Sequence, residues 1–153
     1  MWRQELEREQ ARRGPGRNKL RTYRTFKRDY GTEPYVKTLL PAAQRGALAK
    51  LRCGTAPLRI ETGRYEGLPE PQRTCFVCGD LVEDERHVLT VCPLYTDIRT
   101  DLINTCEDII PGFLNWNIDQ KFSAFLANEQ FVRPCAKACK AILDRRFSFL
   151  YTT

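Results

Sequence analysis

The chain has 153 residues, of which 42% are hydrophobic and 29% charged, a composition typical of a globular domain large enough to bury a core. No apolar run approaches the roughly 20 residues that are needed to cross a bilayer, and the charged N-terminus lacks the apolar stretch of a secretory signal. A membrane-spanning or secreted protein is therefore not indicated. We expect a nuclear or cytoplasmic location without a membrane partner.

Positive charge is concentrated at the N-terminus. Residues 1–30 contain ten Lys or Arg and four Asp or Glu, and this excess accounts for the entire net charge of +6. We interpret residues 1–18 as a basic, flexible arm and residues 19–153 as a helical domain. Basic arms bind phosphates by releasing condensed counterions, although a solvated surface is the more common role of a basic run. The candidate phosphate contacts in this region are Arg12, Arg13, Arg17, Lys19, Arg21 and Arg24.

Apolar residues at three- and four-residue spacing predict a mainly helical chain. In chain order, helices are predicted over residues 19–30, 34–40, 41–53, 93–110, 118–128 and 130–150. Residues 55–73 are rich in Pro and Gly and predict a loop, within which the alternating segment 58–62 predicts a short strand. Phe147 is expected among the packing residues of the last helix. The predicted fold class is mainly α, a small helical bundle interrupted by a loop over residues 73–95 that contains a CCHC pattern of cysteines and histidine.

Four residues of that loop have the spacing of a zinc site. The pattern C-x2-C-x8-H-x4-C is formed by Cys75, Cys78, His87 and Cys92, and His87 is the only histidine of the chain. Seven cysteines in a reducing compartment are better explained by metal ligation than by disulfides. Two thiolates separated by two residues can bind one ion, and Gly79 permits the tight turn that this requires. The pattern predicts one structural Zn2+ bound by these four residues.

The same four ligands argue against catalysis at the metal, because a closed tetrahedral shell leaves no open position for substrate. His87 lies in a predicted short helix, and five residues further on Cys92 would be rotated by about 140° around that helix. Since Pro93 disfavours helical geometry at the residue before it, we expect Cys92 in the turn after the helix. Three thiolates leave the site with one excess negative charge, which Arg73 and Arg86 are expected to moderate.

No sequence motif predicts an enzyme. The chain lacks a glycine-rich phosphate loop and a nucleophile motif, and its only histidine is assigned to the metal. Four acids are interpreted as a solvated loop run: Asp80, Glu83, Asp84 and Glu85. Cys135 and Cys139 share a face of a predicted helix, and buried thiols explain them better than a second metal site does. We expect no catalytic residues and no small-molecule substrate.

Phe76 and Arg73 lie on either side of the first metal ligand, and each has two interpretations. In zinc knuckles an aromatic residue at the position of Phe76 can stack on an unpaired base. Phe76 is equally well explained as a cover for a small core around the metal. Arg73 is suited to a phosphate contact or, more simply, to solubility. Both are candidate nucleic-acid-binding residues, with RNA or single-stranded DNA as the expected partner.

The cluster, together with residues 48–54 and 83–95, resembles the zinc-binding C-terminal segment of non-LTR (LINE-type) retrotransposon reverse transcriptases. Such segments have a helix that ends in an Arg-x-Gly turn, which Arg52-Cys53-Gly54 matches, then a CxxC pair and a His-Leu-Leu-x-Cys-Pro-like stretch. The resemblance covers roughly residues 45–100, about a third of the chain. It implies a metal-ligand role for the four residues above, in an accessory element that holds RNA or DNA.

The resemblance does not extend to polymerase activity. The chain has no Tyr-x-Asp-Asp motif and is too short for a polymerase domain, so we expect a segment detached from the polymerase. The alternative interpretation is a protein-interaction module in which zinc braces a helical surface that binds no nucleic acid.

Overall fold

Seven α-helices make up most of the computed structural model, which describes residues 31–151 together with Gln4, Thr22 and Tyr23. The helices are α1 Pro34–Lys37, α2 Ala42–Cys53, α3 Arg59–Tyr65, α4 Glu85–Thr90, α5 Thr96–Ile109, α6 Ile118–Ala127 and α7 Val132–Tyr151. Short 3-10 turns cover Glu70–Gln72, Pro93–Tyr95, Phe113–Asn115 and Glu129–Phe131. Within these described residues there is no strand longer than a single bridge, and the predicted mainly helical fold class is confirmed. The predicted arm and the helix predicted over residues 19–30 lie outside the described residues, apart from those three positions.

Helix α7 is the centre of the bundle and packs against α2, α5 and α6. Its buried residues recur at helical spacing and include Val132, Cys135, Cys139, Ile142 and Arg146. The prediction that Phe147 packs inward is wrong, because its side chain is exposed. The inward face of the helix contains Ile142 and Arg146, and Phe147 lies about 100° around the helix from Arg146. No helix of the described residues, α7 included, is both long and apolar enough to cross a membrane.

The segment that alternation predicted to be a strand is the start of helix α3. The first backbone N–H groups of a helix need partners outside it, and here Glu83 provides them. Its carboxylate accepts the N–H of Arg59 at 2.7 Å, and its backbone carbonyl accepts that of Ile60 at 3.0 Å. Both contacts come from a residue more than twenty positions away, so a local pattern of alternating residues does not reveal them.

Gly63 sets a sharp packing limit in helix α3. A Cβ added there would lie 2.5 Å from Cγ of Arg73, a buried side chain that is fixed by hydrogen bonds to the carbonyls of Leu68 and Ile60. We expect Gly63→Ala to lower the free energy of unfolding by about 1–3 kcal/mol through overpacking. Urea unfolding of the metal-loaded protein measures this.

The matched control is Gly46→Ala in helix α2. A Cβ at Gly46 would meet no atom within 4 Å, so alanine only improves helix propensity, by about 0.5–1 kcal/mol. The two substitutions are chemically identical and should change stability in opposite directions. Equal stabilities of the two variants would contradict the packing argument.

Candidate metal centre

The side chains of Cys75, Cys78, His87 and Cys92 converge, with their ligand atoms all within 4.8 Å of one another. The Sγ atoms of Cys75 and Cys92 are 3.8 Å apart, and Sγ of Cys78 lies 3.5 Å from Nε2 of His87. Zinc–sulfur bonds of about 2.3 Å and a zinc–nitrogen bond of about 2.0–2.1 Å give tetrahedral edges of about 3.8 Å between sulfurs and about 3.5 Å from sulfur to nitrogen. The four predicted ligands therefore form a shell that can hold a metal ion of the size of zinc.

The first two ligands lie on a tight turn between two short extended segments. A bridge pairs Thr74 with Val82, and the N–H of Cys75 donates to the carbonyl of Leu81 at 2.8 Å. Gly79 has φ +78°, in the left-handed region that residues with a Cβ rarely adopt. The N–H of Val77 donates to Sγ of Cys75 at 3.4 Å. The turn that the sequence predicted for Gly79 is present, and a backbone N–H supports the first sulfur.

The other two ligands are placed by the short helix α4. The side chain of Asp84 caps this helix by accepting the backbone N–H of His87 at 2.8 Å. The carbonyl of His87 accepts the N–H of Cys92 at 2.9 Å, and Cys92 itself has φ −59° and ψ 125°, outside the helical region. Cys92 therefore lies in the turn that precedes Pro93, as predicted. This turn brings Sγ of Cys92 close to the other three ligands.

Burial gives the centre its electrostatic character. Cys75, His87 and Cys92 are buried, and Cys78 is half-buried. Burial raises the pKa of Cys92 to about 12 and also raises the pKa of Cys78, while it lowers the pKa of His87. The neutral imidazole that a metal requires is thus favoured, whereas the thiols need a bound cation in order to ionise. The site is suited to a divalent metal that displaces the thiol protons.

Arg99 is a cation in contact with the backbone of this centre, whereas Arg73 and Arg86, which were predicted to moderate its charge, have other partners. The guanidinium of Arg99 donates to three carbonyl oxygens at the end of α4, those of Leu89 at 3.1 Å, Val88 at 3.3 Å and Cys92 at 2.8 Å. It therefore fixes the turn that carries the last ligand. Arg86 instead forms an exposed ion pair with Asp119 at 2.8 Å. Arg73 donates hydrogen bonds to the carbonyls of Leu68 and Ile60.

The interpretation of the acidic loop as solvated is wrong for two of its members. Glu83 is 3% exposed and Glu85 is 1% exposed. The carboxylate of Glu83 accepts Nε of Arg146 at 2.9 Å and Nη2 at 2.7 Å, in addition to the N–H of Arg59. Glu85 accepts the hydroxyl of Thr22 at 3.0 Å. Glu83 thus joins α3 and α7 to the metal loop (residues 73–95), and no local signal in the sequence points to partners so distant.

The two candidate nucleic-acid contacts beside the first ligand have different environments. Phe76 is 57% exposed, and the guanidinium of Arg59 lies over its ring at 5.2 Å from the centroid. Phe76 therefore does not cover a core around the metal. Arg73 is buried and donates to the carbonyls of Leu68 and Ile60, which leaves it poorly placed for a phosphate. Six further candidates lie outside the described residues: Arg12, Arg13, Arg17, Lys19, Arg21 and Arg24.

Three of the other four cysteines are thiols of the core, and Cys53 is half-buried. Sγ of Cys135 lies 3.9 Å from Sγ of Cys139, and both side chains are buried on the inner face of α7. Cys106 is also buried, which raises its pKa to about 12. Within the part of the chain that the structure describes, the CCHC cluster is the one group of Cys, His and acidic residues close enough to hold a metal.

Comparisons with protein-family models, with curated proteins and with solved structures find no match for this chain.

Proposed function

We propose that this protein is a zinc-binding accessory module that binds RNA or single-stranded DNA and catalyses no reaction itself. The observation that carries this proposal is the placement of Phe76. It lies between the first two metal ligands, and its exposed ring is paired with the guanidinium of Arg59. An exposed aromatic ring suits the base of a nucleotide, since bases stack on aromatic faces, whereas the Arg59 guanidinium is already ion-paired with Glu66.

Zinc is the metal that this donor set fits best. Three thiolates and one imidazole are soft or borderline ligands, and a closed tetrahedral shell of sulfur and nitrogen is typical of structural zinc sites. Four protein ligands leave no position for substrate, which supports a bracing role for the ion. When bound, zinc would hold the Cys75–Cys78 turn against α4 and so fix the loop that presents Phe76.

We attribute the module to retrotransposon ancestry on sequence grounds. The run from Glu83 to Tyr95 carries the likeness to the zinc-binding segment that follows the polymerase of LINE-type reverse transcriptases. An accessory element of that kind holds RNA or DNA while a separate domain performs the chemistry. The concentration of the net charge of +6 in residues 1–30 supports the same function, because basic segments supply the electrostatic part of nucleic-acid affinity.

A second candidate function is a protein-interaction module that does not bind nucleic acid. Exposed apolar side chains on α1 and after it favour this alternative, since Val36 is 53% and Leu39 is 80% exposed. In that case zinc would brace a helical surface whose partner is another protein. The two candidates differ in one measurable property, which is affinity for single-stranded nucleic acid at low salt.

The basic arm provides a quantitative test of the proposed function. We expect the zinc-loaded protein to bind a single-stranded RNA oligomer at low salt, with an affinity that falls as salt rises. Replacing Arg12, Arg13, Arg17, Lys19, Arg21 and Arg24 together by Gln should weaken binding. Each lost phosphate contact reduces the slope of log K against log salt by about 0.7, so the six substitutions reduce it by up to about 4. Fluorescence anisotropy over a salt series measures this slope.

The control removes exposed cations from the helical body, through Lys37→Gln and Lys137→Gln. It should leave the slope close to that of the wild-type protein. Absence of binding at low salt would overturn the nucleic-acid function and favour the protein-interaction module. Binding with an unchanged slope in the sixfold variant would remove the arm from the proposal. Substitution is preferable to deletion of residues 1–30, because Thr22 supplies a hydrogen bond to the buried Glu85.

A further inference from the structure

We propose that the nucleic acid occupies a groove between the metal loop, helix α3 and the C-terminal half of α7, with its bases stacked on Phe76, Phe147 and Tyr151. This inference rests on the proposed function and adds to it the binding surface and the mode of recognition. A groove of this kind takes a single strand, because the bases of a duplex are already stacked on one another.

The groove is open and has a volume of about 670 Å³. Phe76 and Arg59 line it from the metal loop and α3, and Leu143, Phe147 and Tyr151 line it from α7. Phe147 is 64% exposed and Tyr151 70% exposed. Their ring centroids are 4.7 Å apart and the planes are tilted by 43°. Exposed aromatic rings thus line the groove from both the metal loop and α7.

The charges of the groove favour a polyanion over a neutral apolar partner. Its two exposed acids are already engaged, Glu66 with Arg59 and Asp144 with Lys140. Lys50 also lines the groove, is exposed, and forms no ion pair among the described residues. The exposed large side chains are aromatic rather than aliphatic, and an aromatic face stacks on any of the four bases. Rings for bases and a cation for phosphate therefore occur in the same groove.

The groove also depends on the metal centre. Phe76 stands between the ligands Cys75 and Cys78, so its position is fixed only when the turn that carries them is ordered. The opposite wall is fixed by Arg146, which lines the groove and is held by the carboxylate of Glu83 from the metal loop. Removal of the metal should therefore weaken binding at least as much as removal of the Phe76 ring.

The test compares a fluorescein-labelled oligouridylate of about twelve nucleotides, enough for one such site, with an abasic oligomer of equal length. Anisotropy is measured with the full-length, zinc-loaded protein at low salt. We expect Phe147→Ala and Tyr151→Ala each to weaken binding of oligouridylate by about 5- to 150-fold. Binding of the abasic oligomer should change little, because phosphate contacts remain. Both residues are exposed, so neither substitution removes core packing.

Two exposed aromatics outside the groove serve as matched controls, Tyr65→Ala on α3 and Phe149→Ala on α7. Both should bind oligouridylate as the wild type does. Lys50→Glu should weaken binding of both oligomers, while Lys37→Glu, at an exposed lysine on α1, should not. This pattern separates loss of stacking from loss of charge.

Failure of the groove and failure of the function give different results. If the wild type binds neither oligomer, the nucleic-acid function itself is overturned. If the wild type binds oligouridylate and the Phe147 and Tyr151 variants bind equally well, the groove is overturned and the function stands. If these variants convert a dimer into a monomer in sedimentation without loss of affinity, the groove is a surface for a second copy and the inference is overturned.

Discussion

Replacement of Cys78 by serine should reduce bound Zn2+ to less than about half an equivalent, whereas we expect the wild-type protein to carry about one. Cys78 is the half-buried member of the four ligands, so its loss removes little core packing. A serine hydroxyl is a poor zinc ligand at neutral pH, because the coordinating group must be ionised. Metal analysis of carefully prepared protein gives the stoichiometry directly.

The same variant should lose order around the metal. Zinc binding in small modules contributes on the order of 10 kcal/mol, which is also folding free energy for the segment that the ion ties together. From Glu83 onward this segment is also held by Arg146 and Arg99, but the turn from Cys75 to Leu81 is closed only by short backbone contacts such as the bridge between Thr74 and Val82, so the turn depends most on the ion. We expect its amides to exchange rapidly in Cys78→Ser and in chelator-treated wild type, while amides of α7 stay protected.

Acidification should also destabilise the region around the metal. Burial lowers the pKa of His87 below its ordinary 6.5, so the unfolded chain takes up a proton that the folded chain resists. Stability from this group is present above about pH 6.5 and is lost as pH falls below it. Protonation of the thiolates adds to the loss, since protons compete with the metal for sulfur.

Cys53→Ser is the matched control for the metal centre. Cys53 is also half-buried and free of disulfides, but it does not belong to the CCHC cluster. It should retain the full equivalent of zinc and the exchange pattern of the wild type. A Cys78→Ser protein with wild-type zinc content would show that the cluster is a set of buried thiols and not a metal site.

Local sequence signals were sufficient for four of the helices and for the convergence of the four candidate ligands. Apolar periodicity predicted α2, α5, α6 and α7 within a few residues of their observed ends, because each of these helices buries one face. Gly54, with φ +69°, ends α2 at the residue where the sequence predicted the turn. The position of Cys92 followed from its rotation of about 140° relative to His87 and from Pro93, since proline restricts the residue before it. Each of these features is decided by neighbours within one or two turns.

Three of the features that the sequence did not predict depend on contacts beyond the local sequence. Glu83 was interpreted as solvated because it stands in an acidic run, yet its partner Arg146 is 63 residues away. Arg73 was interpreted as a phosphate contact or as a surface charge for solubility, yet it is buried, and its partners are backbone carbonyls that composition does not reveal. The strand predicted for residues 58–62 failed for the same reason, since Glu83 completes the start of α3.

The ion pair between Arg146 and Glu83 leads to the second prediction with a large expected effect on stability. Arg146→Met should lower the free energy of unfolding by about 3–5 kcal/mol, because it leaves the carboxylate of Glu83 buried without its charged partner. The pair is almost inaccessible, with side-chain exposures of 9% for Arg146 and 4% for Glu83. Urea unfolding with zinc present throughout measures the loss. Adding Glu83→Gln to Arg146→Met should partly restore stability. The glutamine removes the unpaired charge and keeps an acceptor for the N–H of Arg59.

Arg145→Met is the internal control, because it changes the neighbouring residue of the same helix in the same way. Arg145 pairs with Asp97 at the surface, where side-chain exposures are 37% and 69%. Solvent screens such a pair, and its loss should cost no more than about 1 kcal/mol. Equal destabilisation by the two substitutions would mean that the methylene chains of α7, and not the charge on Glu83, hold the helix to the metal loop. A double variant less stable than Arg146→Met alone would lead to the same conclusion, because neutralising a truly unpaired buried carboxylate has to restore stability.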